Sequence, residues 1–189
     1  MAVLTILEEP DVRLRRTSRA VEDIDARTRD QVRDMLDTLK SRGAGLAAPQ
    51  VDILKRIVVY DLAQFPESLA EIPFQDRKGE ITDDTKDEKR FAVMINPEIT
   101  ERSQEECVRE EYCLSVPQFG VKVSRAKSIT VRFLDVEGSV RTQKAAGLFA
   151  RCIQHEIDHL DGVLVIDYLS PLKKELTTRK LEKIKRAGI

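Results

Sequence analysis

Residues 154–162 read Gln-His-Glu-Ile-Asp-His-Leu-Asp-Gly and contain both histidines of the chain. On an α-helix, His155 and His159 lie one turn apart on the same face, so both imidazoles can reach one metal ion. Glu156 lies beside them, where a carboxylate can handle the proton of a water molecule that the metal activates. Two histidines at this spacing are also compatible with ordinary hydrogen-bonded core residues. The glutamate and the apolar residues around the pair favour a metal site.

The helix that carries these residues is predicted to begin near Gly147 and to end at Gly162. Its apolar residues cover much of its circumference, and they are Leu148, Phe149, Cys152, Ile153, Ile157 and Leu160. A helix that is apolar on most sides is packed by other elements on most sides. The sequence therefore predicts that this helix is central.

Strand-like segments precede the helix. Period-two alternation predicts antiparallel strands at 121–125 and 128–134, and a turn at Glu137-Gly138 leads to another strand at 140–144. Apolar composition predicts further strands at 57–60, at 91–95 and near 105–109. The second of these is expected to stop at Asn96-Pro97. Between 64 and 90 the sequence turns polar, which indicates a surface excursion.

Two more helices are expected near the ends of the chain. From 25 to 42 the apolar residues recur at helical spacing, and Gly43 is a plausible C-cap. Residues 171–188 form a second helix, with seven Lys/Arg against two Glu. Runs of charge usually face solvent, and docking on a polyanion is the alternative.

The chain has 189 residues, of which 41% are hydrophobic and 34% charged, and this predicts one soluble globular domain over residues 1–189. A net charge of −1 gives no overall attraction to a membrane or to nucleic acid, so we expect no specific DNA binding. The N-terminus lacks the basic region of a signal peptide, and no stretch approaches the ~20 apolar residues of a membrane span. We expect a cytoplasmic protein whose three cysteines stay reduced.

Residues 43–50 read Gly-Ala-Gly-Leu-Ala-Ala-Pro-Gln, so the backbone there can closely approach another chain or a ligand. The glycine spacing is not that of a dinucleotide-binding loop, and the Lys-Ser/Thr of a phosphate loop is missing. A plain connection between a helix and a strand is the simpler interpretation. Gln50 is the one long polar side chain in the stretch, and its amide can donate a hydrogen bond to a developing oxyanion.

Two histidines leave a tetrahedral metal in need of a third protein ligand. Cys152 and His159 are seven residues apart, about 10 Å along a helix. We therefore do not expect both to bind one ion, and Cys152 is better explained as a small buried residue. Cys107 lies in a highly charged segment, where we expect no role. Cys113 lies in a segment that can run beside the helix as a strand, and a thiolate with two imidazoles suits zinc or ferrous iron.

Three stretches, at 43–50, 111–115 and 154–159, resemble the signature motifs of the peptide deformylase family in the same order. The resemblance covers nearly the whole chain, and the first and third motifs match fully. It implies hydrolysis of the N-formyl group from the initiator methionine of new proteins, with release of formate. The implied fold is α+β, with mixed or antiparallel β-sheets packed around a central metal-binding helix, an N-terminal helix and a basic C-terminal helix.

By the same resemblance, the metal ligands are Cys113, His155 and His159. Glu156 is implied to act as general base and then as general acid. Gln50 and the backbone N–H of Leu114 would hold the formyl oxygen. The resemblance implies one divalent ion, commonly Fe²⁺ in this family, with Ni²⁺, Co²⁺ or Zn²⁺ as alternatives.

The resemblance also implies a substrate cleft and partners. The residues expected to contact the substrate are Gly43, Ala44, Gly45, Glu111, Tyr112, Leu148, Arg151 and Cys152. Gly45 would let the substrate backbone approach as an added strand. The implied partners are the N-formylmethionyl peptides of nascent chains, and the basic C-terminal helix is a candidate ribosome contact.

The sequence departs from the family motifs at two places. Tyr112 stands where the second motif usually has a glycine along the cleft, so it can narrow the cleft or shift the strand. Phe119 and Gly120 stand where bacterial members often carry an arginine that contacts the peptide. One alternative is therefore a deformylase-like protein that binds metal and peptides with weak or altered activity. Another is a metalloprotease, whose third ligand is usually a His or Glu downstream of the motif, but the chain has no third histidine and Asp161 is too close to reach round to the ion.

Overall fold

The structure, a computed structural model, describes residues 2–40, 42–71 and 90–187. Its helices are α1 Ala26–Leu39, α2 Pro66–Glu71, α3 Gly147–Leu160 and α4 Pro171–Ala187. Its strands are β1 Gly45–Ala47, β2 Ile57–Asp61, β3 Phe91–Arg102, β4 Glu106–Cys113, β5 Val116–Ala126, β6 Ser128–Leu134 and β7 Val140–Ala146. The strands form a five-stranded sheet of order β1-β2-β3-β6-β7 and a two-stranded sheet of β4 and β5. This arrangement confirms the α+β class.

All the pairings between these named strands are antiparallel, so the sheets are not mixed. The predicted strands at 121–125, 128–134 and 140–144 lie within β5, β6 and β7. None of the helices within the described ranges is both long and apolar enough to cross a bilayer.

Strand β2 is buried along its whole length because helices cover both faces of the five-stranded sheet. Val58 and Tyr60 pack in one cluster with α3, and Ile57 and Val59 pack in another with α1. Successive side chains of a strand point to opposite faces. A continuous apolar run is therefore what a doubly covered strand requires.

Helix α3 lies between the sheets and contacts β1, β2, β5, β6 and β7. Its residues Phe149, Ile153 and Leu160 are almost completely buried. The ring of Phe149 meets that of Tyr60 edge-on, with ring centroids 5.5 Å apart. Burial of each such side chain stabilises the fold by about 2 kcal/mol. The predicted central position of this helix is confirmed.

The start of α3 depends on a residue from the polar segment after Gln64. No side chain of α3 caps its N-terminus, and the free N–H groups of Leu148 and Phe149 donate instead to Ser68 Oγ on α2, at 3.1 and 3.4 Å. The prediction of a surface excursion from 64 to 90 was therefore wrong for α2, which packs against α3. The rest of that excursion, 72–89, lies outside the described residues.

Two predicted element ends were also wrong. Helix α1 ends at Leu39 with Lys40 as its C-cap, so Gly43 does not cap it. Strand β3 does not stop at Asn96-Pro97 but continues to Arg102. A register shift between Ile95 and Glu98 accommodates the proline, which has no N–H to donate to the ladder.

The N-terminal arm joins the two sheets near the site. The N–H of Leu7 donates to the carbonyl of Gln50 at 2.7 Å, and the N–H of Glu9 donates to that of Ser115 at 2.9 Å. Leu7 also packs in a core cluster with β5 and with Leu181, the buried residue of α4. The arm therefore fixes the segment after β1 relative to the turn between β4 and β5.

Helix α3 is followed by Gly162, which has a φ of +76° and lies against the chain at Arg15. A Cβ at position 162 would lie 2.5 Å from the carbonyl oxygen of Arg15. Gly138 offers a matched comparison, because its φ is +85° and a Cβ there would meet only Ile24, at 3.9 Å.

We expect Gly138→Ala to destabilise the protein by about 1 kcal/mol through left-handed backbone strain alone. Gly162→Ala adds a backbone clash and should cost about 1–3 kcal/mol more. Urea unfolding midpoints of both variants, measured at the same metal content, check this expectation. Equal midpoints would show that the contact with Arg15 carries no energetic weight.

Candidate active site

The end of β4 and one face of α3 bring three metal-binding side chains together. The ligand atoms of Cys113, His155 and His159 all lie within 4.8 Å of one another. Cys113 Sγ is 3.2 Å from His159 Nε2. A tetrahedral ion with one thiolate and one imidazole separates these atoms by about 3.5 Å. The donor set and its spacing therefore fit a divalent metal, and Cys107 and Cys152 lie outside this group.

The ring of His155 is oriented by a buried carboxylate. His155 Nδ1 lies 2.9 Å from Glu111 Oε2, so its Nε2 is left for a metal. Burial on its own raises the pKa of Glu111, but hydrogen bonds from His155 and Arg125 lower that pKa to about 2. The carboxylate is therefore charged, and its Oε2 accepts a hydrogen bond from the His155 Nδ1–H.

Two arginines neutralise Glu111. Arg125 of β5 donates to both carboxylate oxygens at 3.0 Å, and Arg151 of α3 donates to Oε1 at 2.7 Å. Arg151 also donates to the carbonyls of Cys107 and Val123. The sequence did not point to Arg125. The available signal was an arginine at an inward position of an alternating strand, which requires a buried partner.

His159 is 1% exposed, and within the described ranges its Nδ1 has no hydrogen-bond partner. Its Nε2 faces Cys113 Sγ, which also receives the backbone N–H of Ser115 at 3.4 Å. Hydrogen bonds of this kind stabilise a thiolate, the form in which cysteine binds a metal. Ser115 is a further site residue that the sequence did not reveal.

Gln50 is held with its amide nitrogen toward the metal-binding group. Its Oε1 accepts from the N–H of Ala47 at 2.8 Å. Its Nε2 donates to Ser115 Oγ at 3.1 Å and lies 3.8 Å from Cys113 Sγ. The Gln50 side chain is 2% exposed, so its orientation is fixed by these contacts.

Gly45, the first residue of β1, explains why the stretch from 43 to 50 has small residues. A Cβ at position 45 would lie 2.7 Å from Glu156 Oε1 and 2.8 Å from Cys152 Sγ. The backbone therefore approaches α3 closely at this point. Burial raises the pKa of Glu156 to about 7 and that of Cys152 well above its usual range. Cys152 is thus a neutral thiol beside the carboxylate.

A cavity of about 490 Å³ opens beside these groups. It is lined by Gln50, Cys113, Leu114, His155 and Glu156, and by all eight residues predicted to contact substrate. The sequence did not predict six further lining residues, which are Arg42, Gln64, Phe65, Glu110, Val116 and Gln118.

Tyr112 lies at the rim of this cavity and does not fill it. Its side chain is 69% exposed. The pairing of β4 with β5 shifts register between Glu111 and Cys113, at the position of Tyr112. Tyr112 was expected either to narrow the cleft or to shift the strand. The structure shows an irregularity in the strand, and the exposed ring does not fill the cleft.

The chain matches the family model described as polypeptide deformylase over residues 3–175. The chain belongs to the polypeptide deformylase family. Peptide deformylases of Bradyrhizobium sp. and Chromohalobacter salexigens are 45% and 42% identical to it, covering 100% and 99% of this chain and 99% and 98% of theirs. This family membership makes the protein a metal-dependent hydrolase, and its Cys-His-His group is suited to a divalent metal.

Solved structures of this family have the same fold. A peptide deformylase from Legionella pneumophila superposes with a TM-score of 0.81 at 38% identity and covers 99% of this chain and 98% of its own. The enzyme from Ehrlichia chaffeensis in complex with actinonin gives a TM-score of 0.82 at 37% identity, covering 98% of this chain and 99% of its own.

The contact between Glu111 and His155 predicts a measurable effect on metal binding. Glu111→Gln should weaken metal affinity by about 10- to 100-fold, because the amide no longer provides a carboxylate partner for His155. Glu110→Gln is the matched control, since Glu110 is its exposed neighbour and makes no contact with a ligand. Competition with a chromogenic chelator measures both affinities. Equal affinities in the two variants would contradict the proposed orientation of His155 by Glu111.

Proposed function

We propose that this protein removes the N-formyl group from N-formylmethionyl peptides and releases formate. The observation that carries the proposal is the Cys113, His155 and His159 group beside a cavity that Glu156 and Gln50 also line, in a chain of the deformylase family. We propose nascent chains as its substrates and the cytoplasm as its location.

The metal ligands proposed here are Cys113, His155 and His159. A bound divalent metal supplies Lewis acidity and activates water at neutral pH. The thiolate and two imidazoles suit ferrous iron, which we propose as the physiological ion, and also accept Zn²⁺, Ni²⁺ or Co²⁺.

Glu156 is the proposed proton carrier. Its Oε2 is buried and has no hydrogen-bond partner among the described residues. It follows His155 on the helix face that lines the cavity. In our mechanism it accepts a proton from the attacking water and then delivers one to the nitrogen of the leaving methionine. Gly45 is required because the Glu156 carboxylate occupies the space of a side chain there.

Two donors are proposed to stabilise the oxyanion that forms on the formyl group. Gln50 directs its Nε2 toward Cys113, and the backbone N–H of Leu114 follows Cys113 in the chain. Preorganised donors of this kind typically contribute about 3 kcal/mol each.

The substrate backbone is proposed to pair with β1. This strand is at one edge of the five-stranded sheet, so none of the described strands pairs with one side of its backbone. An extended peptide can add to such an edge. The proposed contacts are the residues of the cavity wall, Gly43, Ala44, Gly45, Glu111, Tyr112, Leu148, Arg151 and Cys152. The exposed ring of Tyr112 gives no support to a blocked cleft, so the alternative of a deformylase-like protein that binds metal and peptides with weak or altered activity is not favoured.

The proposal predicts that anaerobically prepared, metal-loaded protein releases formate from formyl-Met-Ala-Ser. Glu156→Ala should lower kcat by about 10²- to 10⁴-fold because the proton carrier is lost, with metal content unchanged. Asp161→Asn is the control, since this residue lies at the end of the same helix and pairs with Arg56. Formate release and elemental analysis provide the two readouts. No formate from the parent protein would refute the function, and metal loss in Glu156→Ala would make Glu156 structural.

We also propose that α4 contacts the ribosome. Its cations Lys180, Lys183 and Lys185 are exposed, whereas Leu181 anchors the helix in the core. Changing these three lysines to glutamine should weaken co-sedimentation with ribosomes at low salt and leave formate release intact. The same substitutions keep Leu181 in place, so the fold is retained. Co-sedimentation equal to that of the parent protein would count against the contact.

A further inference from the structure

The rim of the cavity carries a carboxylate that is held in a defined position. Glu110 on β4 accepts a hydrogen bond from the hydroxyl of Tyr112 at 2.9 Å. Its side chain lies over Gly120 of β5, where a Cβ would come within 2.7 Å of Glu110 Cγ and Cδ. The absence of a side chain at position 120 therefore leaves the space that Glu110 occupies. The Tyr112 hydroxyl bonds to the Glu110 carboxylate, and Gly120 leaves room for it. Both are positions at which the sequence departs from the family pattern.

Glu110 forms no ion pair with any residue that the structure describes. Its cross-strand neighbour is Lys122, yet in the described part of the chain no salt bridge joins them, and Glu110 bonds to Tyr112 instead. The other carboxylates of the cavity differ from it. Glu111 is bound by two arginines, and Glu156 is buried against α3. Glu110 is thus the exposed acidic group on the cavity wall.

The remaining exposed charge on the wall is the cation of Arg42, which comes from the segment before β1. Arg42 and Glu110 therefore belong to different elements, and each can act on a different part of a bound peptide. The charges deeper in the cavity belong to groups already assigned to metal binding and proton transfer.

We propose that Glu110 is a specificity-determining residue that favours substrates with Lys or Arg in the two positions after formylmethionine. This inference rests on the proposed function and adds to it a preferred substrate class. The carboxylate attracts a basic side chain and repels an acidic one where the peptide leaves the cavity. Because the rim is exposed, the attraction is of the size of a surface ion pair and is reduced by salt.

The test compares C-terminally amidated peptides that differ in one charge. The pairs are formyl-Met-Lys-Ser with formyl-Met-Glu-Ser, and formyl-Met-Ala-Lys with formyl-Met-Ala-Glu. We expect kcat/KM to be about fivefold higher for the lysine peptide in at least one pair at low salt, and the ratio to fall toward one at high salt.

Four variants then assign the preference. Glu110→Gln should bring the ratio close to one, and Glu110→Lys should invert it. Gly120→Ala should lower the ratio, because the new Cβ displaces the flexible end of Glu110. Glu106→Gln is the matched control, since Glu106 is an exposed glutamate of the same strand that bonds to Ser124 away from the cavity. It should retain the parent ratio.

A ratio of one in both peptide pairs, or an unchanged ratio in Glu110→Gln, would overturn the inference. Equal effects of Glu106→Gln and Glu110→Gln would overturn it as well, because the preference would then be a general charge effect. Turnover of formyl-Met-Ala-Ser tests the proposed function separately. If no peptide is hydrolysed, equilibrium binding of the same peptides to the metal-loaded protein gives the same ratio and decides the inference.

Discussion

The buried carboxylate of Glu111 is the constraint on which the site depends. This one carboxylate accepts hydrogen bonds from His155, Arg125 and Arg151, so it joins β4, β5 and α3. A buried charge that loses its partners costs several kcal/mol. The two-stranded sheet and the helix therefore have one relative position in which all these groups are satisfied. That position also brings Cys113, two residues further along β4, to the two histidines.

Local patterns in the sequence were enough to predict the elements that pack on two sides. The continuous apolar run of β2 reflects the burial of every residue in that strand, and the apolar circumference of α3 reflects burial on most sides of that helix. Element ends were less predictable because they depend on residues distant in sequence. Strand β3 passes Pro97 only because a register shift accommodates it. Helix α3 begins without a cap of its own because Ser68 provides one from α2.

The residues of the site that could be predicted are those whose type and spacing alone indicate their chemistry. The histidine spacing, the helix length that separates Cys152 from His159, and the resemblance together gave the metal group that the structure brings together. Arg125 was accessible in principle, because an arginine among inward-facing valines of β5 needs a buried anion. Ser115 was not, since a serine in a turn carries no signal until Gln50 and Cys113 are placed around it.

The departures from the family motifs lie on the part of the site that tolerates change. The metal side of the cavity is built from groups that satisfy one another at close range, so a substitution there leaves a buried charge or a donor without a partner. The rim formed by Tyr112 and Glu110 is exposed, and a new side chain there turns toward solvent at little cost. Tyr112 lies on the rim where the proposed substrate would leave the cavity, while His155 keeps its contact with Glu111 and His159 keeps its contact with Cys113. Under the proposed function, variation at the rim would therefore alter substrate preference more readily than metal binding.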